Sequence, residues 1–358
     1  MMPRSHLRGM RRREHGFTLV ELLVGVVIAL IAVLIIYQVF AVSEGIKRST
    51  TGVGDAQQTG LYASFALSLE IANAGSGVST AQQDLATCPD TANAATTLRP
   101  ITVVITDGGA IDKPDSLVVN YAVSSRIVVV SLFTVSAAPG ADFFIQTPNG
   151  LFVGDRIVAI SQTGDCHTAT VASVSAPDGT GVVDVTYAPA AGVTFPSSSL
   201  MFNYGPANRA QRVRYDVAAG TLRSLNLWDG AAAPVPIASN IVNVKYQYGI
   251  DTDNNGYLDT WVSATGVWAP DQVLAAPVDK LNQIKAVRMA IVVRSEQFDK
   301  TLGDFTPTAL FTECGSAACP APLAITVPKS ASPLGNYRHR VYENVVPIRN
   351  AIWNFAPG

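Results

Sequence analysis

The sequence is short of charge and lacks the arrangements that enzymes use. Only 15% of its 358 residues are Asp, Glu, Lys or Arg. It has no G-x-S-x-G elbow, no H-E-x-x-H pair and no phosphate-binding glycine loop, so none of those chemistries is indicated. Cys166 and His167 are neighbours in "GDCH". Consecutive strand residues point to opposite faces, however, and thiol–imidazole catalysis needs the two groups to face each other. Basic residues are concentrated at the start. Residues 1–16 hold Arg4, Arg8, Arg11, Arg12 and Arg13 against Glu14, a net of +4. The whole chain is −2, so residues 17–358 carry −6. An acidic body argues against nucleic acid as a partner. No internal repeat is present.

What the chain does have is one long apolar run. From Phe17 to Val42 the only ionisable side chains are Glu21 and Tyr37. The run exceeds the ~20 residues needed to cross a bilayer, and the arginines before it are a cytoplasmic flank. It is too long for the apolar core of a cleaved secretory signal, about 7–15 residues. An uncleaved anchor accounts for its length but not for Glu21, because a carboxylate in hydrocarbon costs roughly 2.5 kcal/mol or more.

"GFTLVELLVGVVIAL" (16–30) resembles the type IV prepilin, or class III, signal. The resemblance implies cleavage by a prepilin peptidase after Gly16 and N-methylation of Phe17. It also implies a role for Glu21 in subunit assembly, where it faces the charged amino terminus of a neighbouring subunit. A carboxylate opposite an ammonium in a packed bundle is compensated, unlike a lone one in lipid.

Past the run, residues 43–56 are polar and contain Gly45, Gly52 and Gly54. Each costs a helix about 1 kcal/mol against alanine, and they are expected to mark a flexible or melted section. Leu61, Phe65, Leu69 and Ala72 recur at helical spacing and predict the face that packs on a head. Gly75 then supplies a C-terminal stop. After residue 76 the texture becomes β. "ITVVIT" (101–106), "SLVVNYAV" (116–123), "RIVVVSLFTV" (126–135), "RIVAI" (156–160), "QRVRYDV" (211–217), "TLRSLNL" (221–227), "NIVNVKYQYGI" (240–250) and "IKAVRMAIVVRS" (284–295) read as strands, many half-buried. Segments 79–98, 136–150, 188–199 and 313–335 read as loops.

Several stretches resemble the PilW kind of minor pilin. They are "TGLYASFALSLEIANAG" (59–75), "LFVGDRIVAISQTGDCHTATVASV" (151–174), "VKYQYGIDTDNNGYLDTWV" (244–262), "IKAVRMAIVVRS", and "RVYENVVPIRN" (340–350) with its closing Arg-Asn pair. The chain departs from that family near the helix end, where Leu61 and Glu70 stand in a region usually carrying arginines. The expected fold is α+β: a leader over 1–16, a helix over 17–75 that spans the membrane over 17–42, and a mostly antiparallel β head over 76–358.

The resemblance implies a minor pilin of type IV pilus assembly, priming or capping the filament near its tip. Its partners would be other minor and major pilins, the prepilin peptidase, the inner-membrane assembly platform and a tip adhesin. Its localisation would be the inner membrane with a periplasmic head, then the pilus. Two alternatives stand beside it: a J-type pseudopilin of type II secretion, and a membrane-anchored periplasmic binding protein or enzyme sharing only the signal.

Four cysteines remain after processing: Cys88, Cys166, Cys314 and Cys319. An even count in an exported chain suggests disulfides, with three pairings open. Cys314 and Cys319 sit close enough in one loop to reach each other, which leaves Cys88 for Cys166. Zinc is the weaker reading, since C-x4-C lacks a second ligand pair and only His167 and His339 remain. "DTDNNGYLD" sets Asp251, Asp253, Asn255, the Tyr257 carbonyl and Asp259 at positions 1, 3, 5, 7 and 9, with Gly256 at 6. That is how calcium loops wrap the ion. Val262 replaces the bidentate glutamate of position 12, so this is a shortened calcium loop or an ordinary solvated turn between strands.

Overall fold

A computed structural model describes residues 16–77, 88, 99, 101–123, 130–146, 150–207, 211–228, 232–298, 308–311, 323–326 and 337–352. The chain divides into two compact units, Met1–Gly52 and Val53–Gly358.

Helix α1 (Leu19–Asn73) contains Gly45, Gly52 and Gly54 without a break. The glycines therefore do not melt the helix. Three glycines cost a helix about 3 kcal/mol in sum. Breaking and re-nucleating it costs about 4 kcal/mol at a nucleation constant near 10⁻³. Within the first unit, every residue from Phe17 to Val42 is exposed. This is the one described helix long and apolar enough to cross a membrane.

In the second unit only Ala72 of the four residues expected to face the head packs against its core. Ala56, Ala63, Leu67, Ile71 and Ala74 are buried, while Leu61, Phe65 and Leu69 are 54%, 67% and 50% exposed. Small side chains win because the helix lies close to the sheet. A Cβ on Gly60 would run into the ring of Tyr342. Gly75 takes φ +77° and its N–H donates to the Asn120 carbonyl at 2.7 Å. The helix end is secured from the far end of the chain, since Asn350 Nδ2 donates to the Ala74 carbonyl at 3.1 Å.

The head begins with β1 (Val103–Thr106) and β2 (Ser116–Tyr121). Six strands then close into a barrel: β3 (Val130–Phe133), β4 (Phe143–Gln146), β5 (Asp155–Ile160), β6 (Cys166–Val174), β7 (Val182–Ala188) and β8 (Leu200–Pro206). Around it the order is β3-β4-β7-β6-β5-β8, and β8 pairs back onto β3. It has its own core of Phe133, Phe143, Ile145, Ile157, Val183, Val185 and Phe195. Strand β4 lies inside a stretch expected to be loop.

The chain then returns to β2. Strands β9 (Gln211–Ala218), β10 (Thr221–Asn226) and β11 (Val235–Ser239) complete a five-stranded antiparallel sheet, β1-β2-β9-β10-β11. The second sheet is β13-β12-β14-β17, built from β12 (Ile241–Ile250), β13 (Thr260–Val262), β14 (Ile284–Phe298) and β17 (Tyr337–Pro347). Short helices α2 (Pro270–Ala275) and α3 (Val278–Asn282) precede β14, and α4 (Arg349–Ile352) follows β17.

One apolar core joins the two sheets to Leu67 and Ile71 of α1. On the other face of the four-stranded sheet, Val242, Ala290 and Val292 meet Leu310 and Ile325 of a hairpin, β15 (Thr308–Leu310) and β16 (Leu323–Ile325). All ten residues of β12 are consequently buried. A buried ion pair, Lys245 Nζ to Asp115 Oδ1 at 2.7 Å, ties the loop before β2 to β12.

Candidate assembly site

The start of α1 is a capping box. Thr18 precedes the first helical residue and Glu21 stands three residues on. The Glu21 N–H donates to Thr18 Oγ1 at 3.3 Å, and the Thr18 N–H donates back to Glu21 Oε2 at 3.0 Å. Thr18 Oγ1–H also reaches Oε2 at 3.0 Å. Reciprocal bonding of this kind satisfies two of the donors that a helix start leaves without intrahelical partners. Glu21 thus has a partner inside its own chain, which the prepilin resemblance did not supply. The T-x-x-E spacing was legible in "FTLVE". Its carboxylate sits on the positive end of the helix dipole. All its described bonds use Oε2, leaving Oε1 available to a cation from outside. Gly16 and Phe17 lie just before this cap, both exposed.

The acidic loop between β12 and β13 brings Asp251, Asp253 and Asp259 together, with carboxylate oxygens within 4.8 Å of one another. Most of its oxygens are already engaged. The buried Asp251 accepts from the N–H groups of Asn255 (3.1 Å) and Gly256 (2.8 Å), and Lys285 Nζ lies 3.8 Å away. Asp253 accepts from Asn255 Nδ2 at 2.9 Å. Asn255 Oδ1 accepts from the Tyr257 N–H at 2.8 Å, and Asp259 Oδ2 from the Thr252 N–H at 2.7 Å. The Thr252 hydroxyl and N–H hold the Asp259 carboxyl below its ordinary range. Burial pushes Lys285 down, opposed by Asp251 beside it. This is a turn that closes on its own side chains. A cation would share Asp251 with an ammonium and displace Tyr257 from Asn255.

Cys88 is joined by a disulfide to Cys166 at the start of β6, closing a loop with a sequence separation of 78. In the chain-entropy view such a closure is worth about 4–5 kcal/mol. Cys314 and Cys319 lie outside the described residues. His167 is bonded through Nε2 to the Pro189 carbonyl at 2.7 Å. Sequence reasoning missed the role of Asn350, which fastens the end of α1.

Residues 11–37 match the family model of the prokaryotic N-terminal methylation motif. Residues 212–350 match that of type IV pilus-assembly protein W, PilW. The chain thus carries an N-terminal methylation motif and, further on, a PilW domain. The PilW match runs from β9 to α4 and so takes in the four-stranded sheet, the acidic loop and Asn350, but not the barrel. Among solved structures, the type IV-like pilin TTHA1219 from Thermus thermophilus is similar at 11% identity and a TM-score of 0.23, over 56% of this chain and 86% of that one. No curated protein matches the chain significantly.

Proposed function

We propose that this PilW-family chain is a minor pilin that primes or caps a type IV pilus, near the tip and together with other minor pilins. The observation that carries the reading is the pairing, in one chain, of a methylation motif over 11–37 with a PilW domain over 212–350. In this reading the prepilin peptidase cuts after Gly16 and Phe17 becomes the N-methylated amino terminus. The chain waits in the inner membrane with its head in the periplasm. The assembly platform then moves it into the filament, where it meets major and minor pilins and a tip adhesin.

Glu21 has two tasks in this scheme. Oε2 caps its own helix, and Oε1 receives the ammonium of a neighbour's amino terminus. Glu21→Ala removes both, while Glu21→Gln keeps an oxygen for the cap and loses the charge. Both variants should remain membrane-inserted. Both should be depleted from sheared pili when measured against the membrane pool. Incorporation of Glu21→Gln at the wild-type level sinks the pairing role.

Calcium at the acidic loop belongs to the same proposal as an ordering ion for the head. Asp251, Asp253 and Asp259 would hold it, with Asn255 and the Tyr257 carbonyl completing the shell. Affinity is expected in the extracellular range of about 10⁻⁴–10⁻³ M.

A further inference from the structure

Among the described residues, two lysines are buried beside an aspartate in the head. The pairs differ in reach. Lys245 Nζ lies 2.7 Å from Asp115 Oδ1, with the two side chains 4% and 2% exposed. Lys285 Nζ lies 3.8 Å from Asp251 Oδ2. A buried ion pair adds little to stability, because desolvation offsets most of the attraction. The Asp115 pair is also held more closely than a charge contact needs. The Asp115 N–H donates to the Val244 carbonyl at 2.9 Å, which docks the residue on the edge of β12 beside Lys245. Its carboxyl accepts from the Gly108 N–H through Oδ1 and from the Tyr246 N–H through Oδ2, both at 2.9 Å.

We propose that this pair is a site of covalent modification, an intramolecular amide formed between Lys245 Nζ and Asp115 Cγ with loss of water. The lysine first gives a proton to Oδ1, leaving a neutral amine against a neutral carboxylic acid. Separated charges are costly in a dry interior, which favours that exchange. Burial also raises the Asp115 carboxyl, against the pull of Lys245 and of the two N–H groups. The amine lone pair then attacks Cγ. The N–C bond forms and the carbonyl electrons move onto Oδ2. The Tyr246 N–H already sits there, within the roughly 2.7–3.1 Å at which donors stabilise an oxyanion. A second proton passes from the nitrogen to Oδ1. The carbonyl to Oδ2 re-forms, the Cγ–Oδ1 bond breaks, and Oδ1 leaves as water. No oxidant, metal or other reactant enters. Holding the two groups in place supplies an effective molarity that reaches about 10⁵–10⁸ M in well-oriented cases. The Lys285 pair is the internal contrast: at 3.8 Å no hydrogen bond carries the first proton across. The new bond joins positions 130 apart, and the whole barrel lies between them. It closes the head around that insertion with a link that, unlike the disulfide, a thiol does not open.

The test is peptide mapping by mass spectrometry of the purified full chain, reduced and digested with trypsin. The expected result is a branched peptide joining Lys245 to Asp115, one water lighter than the sum of its two arms, with no cut after Lys245. Trypsin should still cut after Lys285. Lys245→Arg keeps the charge and removes the nucleophile, so the branched peptide should disappear. The reduced, denatured variant should also migrate more slowly on a gel than the wild type, whose closed loop is more compact. If that variant does not fold, the wild-type map decides alone. A wild-type chain kept folded for several days that yields Lys245 and Asp115 only in linear peptides overturns the proposal. Equal closure of the Lys285 pair also overturns it, because hydrogen-bond contact would then decide nothing.

Discussion

Helix α1 meets two different environments. From Phe17 to Val42 it is apolar on every side, and each residue is exposed. From Ala56 to Ala74 one face is buried against the head. The second stretch has found its partner in the same chain, and its inward residues are small where Tyr342 comes close. The first has no partner among the described residues, as expected of a segment whose partners are lipid and other subunits. Hydrophobicity alone does not tell the two apart. What separates them is that the second buries one face, through Ala63, Leu67 and Ile71, within its own chain.

The largest effect that would test this contrast is in the core. Leu67→Ala empties a fully buried site and should cost about 2–5 kcal/mol, read as a lower melting temperature of the full chain in detergent. Phe65→Ala, two residues away on the outer face, should stay within about 0.5 kcal/mol of wild type. Equal losses at the two positions would mean that the helix faces are misassigned.

A second test uses pH, because the membrane stretch has little to titrate and the head has more. Burial, and then the Arg294 guanidinium, hold His339 down to about 4. A depressed histidine favours the folded state fully above its unfolded value near 6.5. That contribution is lost as pH falls through the folded value. Head stability should therefore decline between pH 6.5 and 4, by no more than about 1.4 kcal/mol per unit, and His339→Gln should flatten the slope. Asp115 works in the opposite sense, since burial raises its carboxyl despite Lys245. An unchanged slope in His339→Gln would remove the histidine from the account.

The smallest effect is calcium. With an affinity near millimolar, several millimolar calcium should stabilise the head by about 1 kcal/mol relative to chelator. Magnesium should do less, because it keeps its waters and demands octahedral geometry. Asp253→Ala should erase the difference and Asp271→Ala should not. Identical melting in calcium and chelator, with no binding heat, leaves the loop as a turn held by Lys285 and its own amides.

The strands of the two open sheets were legible because runs such as 211–217 and 241–250 alternate or are continuously apolar. The barrel was not. Strand β4 is only Phe143–Gln146 inside a Gly- and Pro-bearing stretch, and closure depends on β3 meeting β8, a non-local pairing with no local pattern. The packing face of α1 departs from the helical spacing of Leu61, Phe65 and Leu69, Ala72 excepted, because Leu and Phe outrank Gly and Ala on any hydrophobicity scale. Close approach rewards the small residues instead. The site at the helix start was half legible. Glu21 stands out in the sequence as a charge in an apolar run, while its capping partner Thr18, three residues away, carries no such contrast. Asn350 could not be assigned a role from sequence, since its bond to the end of α1 spans 276 positions.

The central claim is that the exposed half of α1 is made for other subunits in a filament. Mass spectrometry of the protein recovered from sheared pili tests it most directly. The expected result is a chain that begins at N-methylated Phe17 and is enriched with the pili over the membrane fraction. A pilus-associated chain that keeps residues 1–16, or a processed chain found only in the membrane, would contradict it.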